Sequence, residues 1–337
     1  HGFTLIELMV AMVLSLVLLG GITYVVVNSN KNYNTTDSLA RLQENARFAM
    51  EFVTRDLRRA GYMGCANDVT SVNNTLNGGA YGGTGGLGIY PIEGSESSAV
   101  WKPSGTTVSL TNAVSSSDLI SSRYLDLNNP ITIQQQMPNE SAVLFVSPGH
   151  GLVAGDIIAV TDCDGADIMQ ITNVNAAGGS STKDGLVHNA GGSSPGNSTQ
   201  KLNRAYNINS KVFKFNSFTY YVGTNASNRR ALFRQTPSGT EELVEGVENL
   251  QILYGEVMGS DRSPTLYSTA TGVTNWQNVV SIRIGMLFST VANSADGQYG
   301  TDVDSDTHVV NGTVVTPPSE RRMRKVFVST IMLRNIR

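Results

Sequence analysis

The sequence predicts an α+β fold, a long N-terminal α-helical spine packed on a large antiparallel β-rich head, and three observations predict it. From Phe3 to Val27 the chain is almost wholly apolar. From Leu39 to Ala60 apolar residues recur at intervals of three and four, which is one stripe of an amphipathic helix. Beyond Ser117 the chain turns to short apolar or alternating runs bounded by Gly, Pro and Asn, the pattern of strands and turns.

The apolar run of about 25 residues exceeds the roughly 20 that a helix needs to cross a hydrocarbon core. A secretory signal peptide has a shorter apolar core, of about 7 to 15 residues, and ends at a small-residue cleavage site that this run lacks. One carboxylate, Glu7, interrupts it. A charged group inside a membrane span costs a few kcal/mol unless it finds a partner, so Glu7 marks a functional site. The plainer alternative is a carboxylate that reaches the interface from near the helix end.

The second half of the spine follows a polar stretch, Asn28 to Thr36. Leu39, Leu42, Ala46, Ala49, Val53, Leu57 and Ala60 form its apolar stripe. Asp37 or Ser38 suits a helix start, Arg55, Arg58 and Arg59 suit the negative carboxyl end, and Gly61 suits a stop. Read as one helix, the spine spans roughly 85 Å at 1.5 Å per residue. Gly20-Gly21 marks a place where it can unwind locally or pack closely against a neighbour.

From Gly61 to about Ser116 the chain is rich in Gly, Ser, Asn and Thr and reads as loop. Gly83, Gly85 and Gly88 spell a formal G-x-G-x-x-G, but no strand leads in and Pro91 stands where a helix should open, so it is no dinucleotide site. Strands are expected at 118–124, 142–146, 156–161 and 167–172. After a Gly/Ser-rich insert, Ala176 to Ser198, they are expected at 212–222, 231–235, 250–254, 280–287 and 325–334.

Composition removes several function classes. The 337 residues carry 24 Lys+Arg against 27 Asp+Glu, a net charge of −3, with no basic footprint for nucleic acid. The four histidines show no metalloprotease spacing, and no nucleophile elbow or phosphate-loop lysine is present, so we expect no enzyme. Cys65 and Cys163 are the only cysteines. In an exported head they read as a disulfide, which would close a loop of about 100 residues and stabilise by about 4 to 5 kcal/mol in the chain-entropy account. Two separate thiols are the alternative. Asp302, Asp304 and Asp306 alternate as at the start of a calcium loop, but Thr307 and Thr313 replace the turn glycine and the bidentate glutamate, so calcium stands beside a plain solvated loop. Asp162, Asp164 and Asp167 form a second acidic cluster, read as turn chemistry.

Gly2 followed by Phe3-Thr4-Leu5-Ile6-Glu7-Leu8 resembles the processing site of type IV pilins and pseudopilins. The resemblance implies cleavage after Gly2 by a prepilin peptidase and methylation of Phe3, with residues 1–2 the remnant of a trimmed leader. It assigns Glu7 to a neighbouring subunit's amino terminus during assembly, a contact of about 4 kcal/mol at 4 Å and an effective dielectric near 20. In the body, Thr161-Asp162-Cys163, Leu243 to Gly255, and Leu333-Arg334-Asn335-Ile336-Arg337 are similar to PilW-type minor pilins. The pilin-like layout is then a membrane and assembly half at 3–27, an amphipathic half at 28–60 and a β-rich head at 61–337. The implied function is pilus assembly, priming growth and sitting at or near the tip. The implied partners are other minor pilins, the major pilin, an inner-membrane assembly platform and a tip adhesin, on an inner-membrane and then cell-surface route. A pseudopilin of type II secretion, or a membrane-anchored binding protein, remains the alternative.

Overall fold

The computed structural model of the chain describes residues 4–65, 71–77, 84–87, 90–96, 110–126, 128–177, 182–192, 195–236, 239–258, 263–291, 306–317 and 322–335. The spine is a single helix, α1 (Leu5–Leu57), of 53 residues, or roughly 80 Å at 1.5 Å per residue. Asn28 to Thr36 stay helical, as do Gly20 and Gly21, and there is no second start at Asp37 or Ser38. Asn and Thr are weak helix formers, by at most about 0.7 kcal/mol each, whereas propagating an existing helix adds a hydrogen bond per residue. Thr36 Oγ1 also donates to the Asn32 carbonyl at 2.8 Å, and Asp37 pairs with Arg41 one turn on at 2.9 Å. The helix ends at the cap Arg58, and Gly61, at φ 76°, turns the chain into the head.

The head begins with β1 (Val72–Asn77), β2 (Thr84–Leu87), β3 (Ile92–Ser95) and β4 (Leu119–Leu125). It continues through β5 (Ile131–Gln135), β6 (Leu144–Val146), β7 (Ile157–Asp162), β8 (Gly165–Gln170), β9 (Asn173–Asn175) and β10 (Asp184–Val187). Then follow β11 (Lys211–Thr224), β12 (Arg230–Thr236), β13 (Gly239–Glu245), β14 (Val247–Glu256) and β15 (Leu266–Ser268). The last strands are β16 (Val279–Ser289), β17 (His308–Val310), β18 (Thr313–Val315) and β19 (Arg324–Met332).

Each expected strand has its counterpart, and most pairings are antiparallel, with β1 and β8 parallel. The loop reading of 61–116 is corrected. It holds β1, β2 and β3 because polar strand residues there are satisfied in place: Thr75 Oγ1 donates to the Ile168 carbonyl at 2.8 Å, and Asn74 Oδ1 accepts from Leu76 at 3.1 Å. The Gly/Ser insert likewise holds β10, and its buried Asn197 bridges Gln170 through both ends of its amide.

Strand β11 organises the larger sheet. Its first residues, Lys211 to Lys214, pair with β7, and its later ones pair with β4 on one side and β12 on the other. The second sheet has the order β15-β14-β16-β19. The principal core lies between α1 and both sheets. There Leu42, Ala46, Ala49, Val53 and Leu57 meet Ile120, Tyr220, Leu232, Ile252, Ile284, Met286 and Ile331.

Ser117 and Asp118, entering β4, stitch one sheet to the other. Asp118 donates its amide to the Leu250 carbonyl at 2.8 Å and accepts from the Ile252 amide at 2.7 Å, while Ser117 Oγ accepts from Leu250 at 2.9 Å. Burial pushes the Asp118 carboxyl up to about 7, against the pull of the Ile252 bond. An unfolded aspartate releases its proton near 3.8, so between about pH 4 and pH 7 the folded chain binds more protons and loses stability as pH rises. The loss is at most about 4 kcal/mol, at about 1.4 kcal/mol per pKa unit. Asp118→Asn keeps the acceptor and removes the titration. In thermal unfolding between pH 4 and pH 8, the variant should gain on the wild type as pH rises; parallel profiles would contradict the assignment.

Candidate functional site

The amino-terminal end of α1 is built around Glu7. Thr4 is the cap: its hydroxyl accepts from the Glu7 amide at 3.4 Å, and Glu7 Oε2 accepts from the Thr4 amide and hydroxyl, both at 2.9 Å. This reciprocal capping box satisfies donors that a helix start leaves without partners. The carboxylate is thereby held at the first turn, next to the positive end of the helix dipole. Gly2 and Phe3, expected to flank the processing site, lie outside the described residues.

From Thr4 to Val27 no side chain is buried by the head. Leu5, Ile6, Leu14, Leu16, Leu18 and Ile22 all stand exposed, on every side of the helix. This is the one helix among the described residues that is long and apolar enough to cross a membrane. A helix apolar all round has to be buried by something other than this head.

The second half meets the head through a carboxylate that sits on the apolar stripe itself. Asp56 lies three residues after Val53 and is 2% exposed. Its Oδ2 accepts from the Tyr220 hydroxyl and lies 3.4 Å from Arg234 Nη1, and its Oδ1 accepts from the Tyr124 hydroxyl at 3.4 Å. Burial, and then the charge of Asp56, raise the Tyr220 phenol far above its ordinary value and push Tyr124 up to about 12. Both tyrosines therefore remain donors. The backbone carbonyl of Asp56 also accepts from Ser122 at 3.4 Å.

The end of the chain closes the same junction. Asn335 Nδ2 donates toward the carbonyls of Arg58, Arg59 and Ala60 at 3.5, 3.4 and 3.3 Å. Those carbonyls at the helix exit need side-chain or solvent partners. The sequence resemblance singled out the ending Leu333 to Arg337 without giving it a role; within it, Asn335 is a side-chain cap on the spine.

Cys65 and Cys163 are brought together at the helix exit. Both are exposed free thiols, and Cys65 hydrogen-bonds with Cys163. Desolvation, and then this neighbour, push the Cys65 thiol up to about 11. Cys163 sits in the β7–β8 turn, where Asp162 Oδ1 accepts from the amides of Asp164 and Gly165 at 3.0 and 3.1 Å and lies 3.2 Å from Arg204. Asp167 instead points inward, accepting from the Tyr206 hydroxyl at 2.7 Å. Of the second acidic cluster, Asp162 and Asp164 belong to the turn, whereas Asp167 departs from the turn reading as a buried acceptor within β8. Asp302 and Asp304 lie outside the described residues, Asp306 is exposed, and no group of metal-ligating side chains occurs among the described residues.

Two family models match the chain. The model described as Type IV Pilus-assembly protein W matches residues 219–335, and the prokaryotic N-terminal methylation motif matches residues 1–23. Neither a curated relative nor a solved structure matches. The first match runs from β11 to Asn335, and so takes in Tyr220, Arg234 and the helix-capping asparagine. The second covers the Glu7 turn and most of the apolar half. Pilus-assembly proteins of this family are structural rather than catalytic.

Removing the carboxylate from the junction leaves Tyr220 and Tyr124 buried without their acceptor. Asp56→Ala should therefore destabilise the full chain by about 2–4 kcal/mol, read from urea unfolding in detergent. Tyr220→Phe should recover part of that loss in the double variant. A change under about 0.5 kcal/mol would show that the cluster does not hold the spine to the head.

Proposed function

We propose that this chain, the type IV pilus minor pilin of the PilW type that both matches support, works by joining other minor pilins in a small complex that primes pilus growth and remains at or near the tip. The observation that carries this reading is Glu7, the one charged side chain on an exposed apolar half-helix that is continuous with the head. A carboxylate there is worth its desolvation only if a cation meets it, and a neighbouring subunit's methylated amino terminus is that cation on this reading. The protein starts as a single-pass inner-membrane subunit, processed after Gly2, and moves with its partners into the pilus on the cell surface. A type II secretion pseudopilin would use the same anchor; the match of residues 219–335 to a pilus-assembly model favours the pilus.

Cys65 and Cys163 form a disulfide in the exported head on this account. Each thiol gives up one proton and one electron to a protein disulfide oxidant of the exported compartment, whose own disulfide is reduced to a dithiol as the S–S bond forms. The bond ties the helix exit to the β7–β8 turn.

Glu7→Ala should leave the chain in the inner membrane and cut its amount in sheared pili at least tenfold, as a lost contact of about 1.4 kcal/mol or more requires; unchanged incorporation would sink the proposed role. For the cysteines, the protein recovered from pili should resist alkylation until reduced, and Cys163→Ser should lower stability by about 3–5 kcal/mol. Two freely alkylated thiols in native protein would rule the bond out.

A further inference from the structure

One flank of the spine carries a basic groove of about 810 Å³ between the second half of α1 and β19. Arg47, Arg55, Arg58 and Arg59 line it from the helix and Arg334 from the end of the chain, against one carboxylate, Glu51. All five arginines are exposed. Among the described residues only Arg55 has a carboxylate in reach, Asp56 at 3.9 Å. The rings beneath Arg55 and Arg59, Phe52 and Tyr124, hold their guanidinium groups without neutralising them. Such a concentration of one charge sign in a concave site raises the local concentration of the opposite charge.

The floor of the groove is a strand edge. Phe327, Val328 and Ser329 all line it. Successive side chains of a strand point to opposite faces, so a groove that meets three in a row meets the strand from its side. Among the described residues, strand β19 ends its sheet and pairs with β16 alone. Edge strands are usually blunted by charge, proline or a bulge. From Val326 to Met332 this one carries none of the charges or prolines, its register with β16 is unbroken, and Val328 and Met332 are 54% and 49% exposed.

We propose that this groove takes an extended acidic segment from the head of a different subunit of the pilus, added as a strand to β19, with its carboxylates on Arg47, Arg58 and Arg334. Backbone hydrogen bonds to the edge supply affinity and the arginines supply specificity and register. A second copy of this chain is the poorer occupant. Among the described residues its one strand at a sheet edge with several acids, β13, has its glutamates engaged at home: Glu241 on Arg234, Glu245 on Arg229 at 2.7 Å, and Glu242 on Asn225 at 2.9 Å. The proposal rests on the assembly reading above.

The test places a photo-crosslinking amino acid at Val328 in the full chain in its native host, with Val314, 64% exposed on the β17–β18 hairpin, as the control position. Cross-linked peptides are sequenced by mass spectrometry from both pili and inner membranes. The expected result is a cross-link from 328, not from 314, to a head segment of another pilus subunit rich in Asp and Glu. Arg58→Glu with Arg334→Glu should lower its yield at least fivefold, and the paired lysine variants should keep it. Both arginines are exposed, so an unchanged melting temperature checks that the variants fold. Cross-links to a second copy of this chain, to lipid or to a spine helix would overturn the proposal. So would equal yields at 314 and 328, or none from 328 in either fraction. A wild-type chain present in pili without the 328 cross-link would fail the docking proposal and leave the assembly reading standing; a wild-type chain absent from pili would fail the assembly reading.

Discussion

The carboxylate of Asp56 enters the head on the apolar stripe of α1 and finds the hydroxyls of Tyr220 and Tyr124 and the guanidinium of Arg234. Each partner comes from a different strand of the larger sheet: β11, β4 and β12. A buried charge left without partners is among the costliest features a fold can carry, so this contact admits one rotation and one depth of the helix against the sheet. The apolar stripe supplies the affinity and the cluster supplies the register. Asn335 then fastens the end of the chain to the helix exit, so the last strand and the spine are locked to each other.

The two halves of α1 are thereby given opposite physics within one uninterrupted helix. Below Val27 nothing in the head covers the apolar surface, and a single capped carboxylate sits in the first turn. Above Leu42 the inner face is fully buried and the outer face carries arginines. A continuous helix of this kind couples position: the placement of Glu7 and the height and rotation of the head are set together. That is the mechanical requirement of a subunit whose task is to be placed among neighbours.

Much of this was legible in the chain. The apolar run, the stripe from Leu42 to Leu57 and the nine strand runs are strong periodic signals, and each marks a real element. The helix start that Asp37 or Ser38 suits does not form, because cap-forming residues are common on exposed helix faces and cooperativity overrides weak local preference, so the one-helix reading holds. Strands β1 to β3 were hidden because Val72-Asn73-Asn74-Thr75 has the composition of a loop, and only long-range partners such as Ile168 make it a strand. Asp56 was missed although its spacing from Val53 and Ala60 places an acid squarely on the apolar stripe, which is the signal that would have found it. Asn335 carried no such signal, since a lone asparagine near a terminus acquires its role only from the helix end that folding brings to it. The nearness of Cys65 and Cys163 was expected from their number and from the export of the head, not from any pattern around them.

The most direct test of the account is the amino terminus itself, read by mass spectrometry on the protein from sheared pili and from inner membranes of the native host. The account predicts a chain in pili that begins at N-methylated Phe3. A terminus left uncut in both fractions would contradict it, and the processed form confined to membranes would move the protein from the pilus to a secretion apparatus.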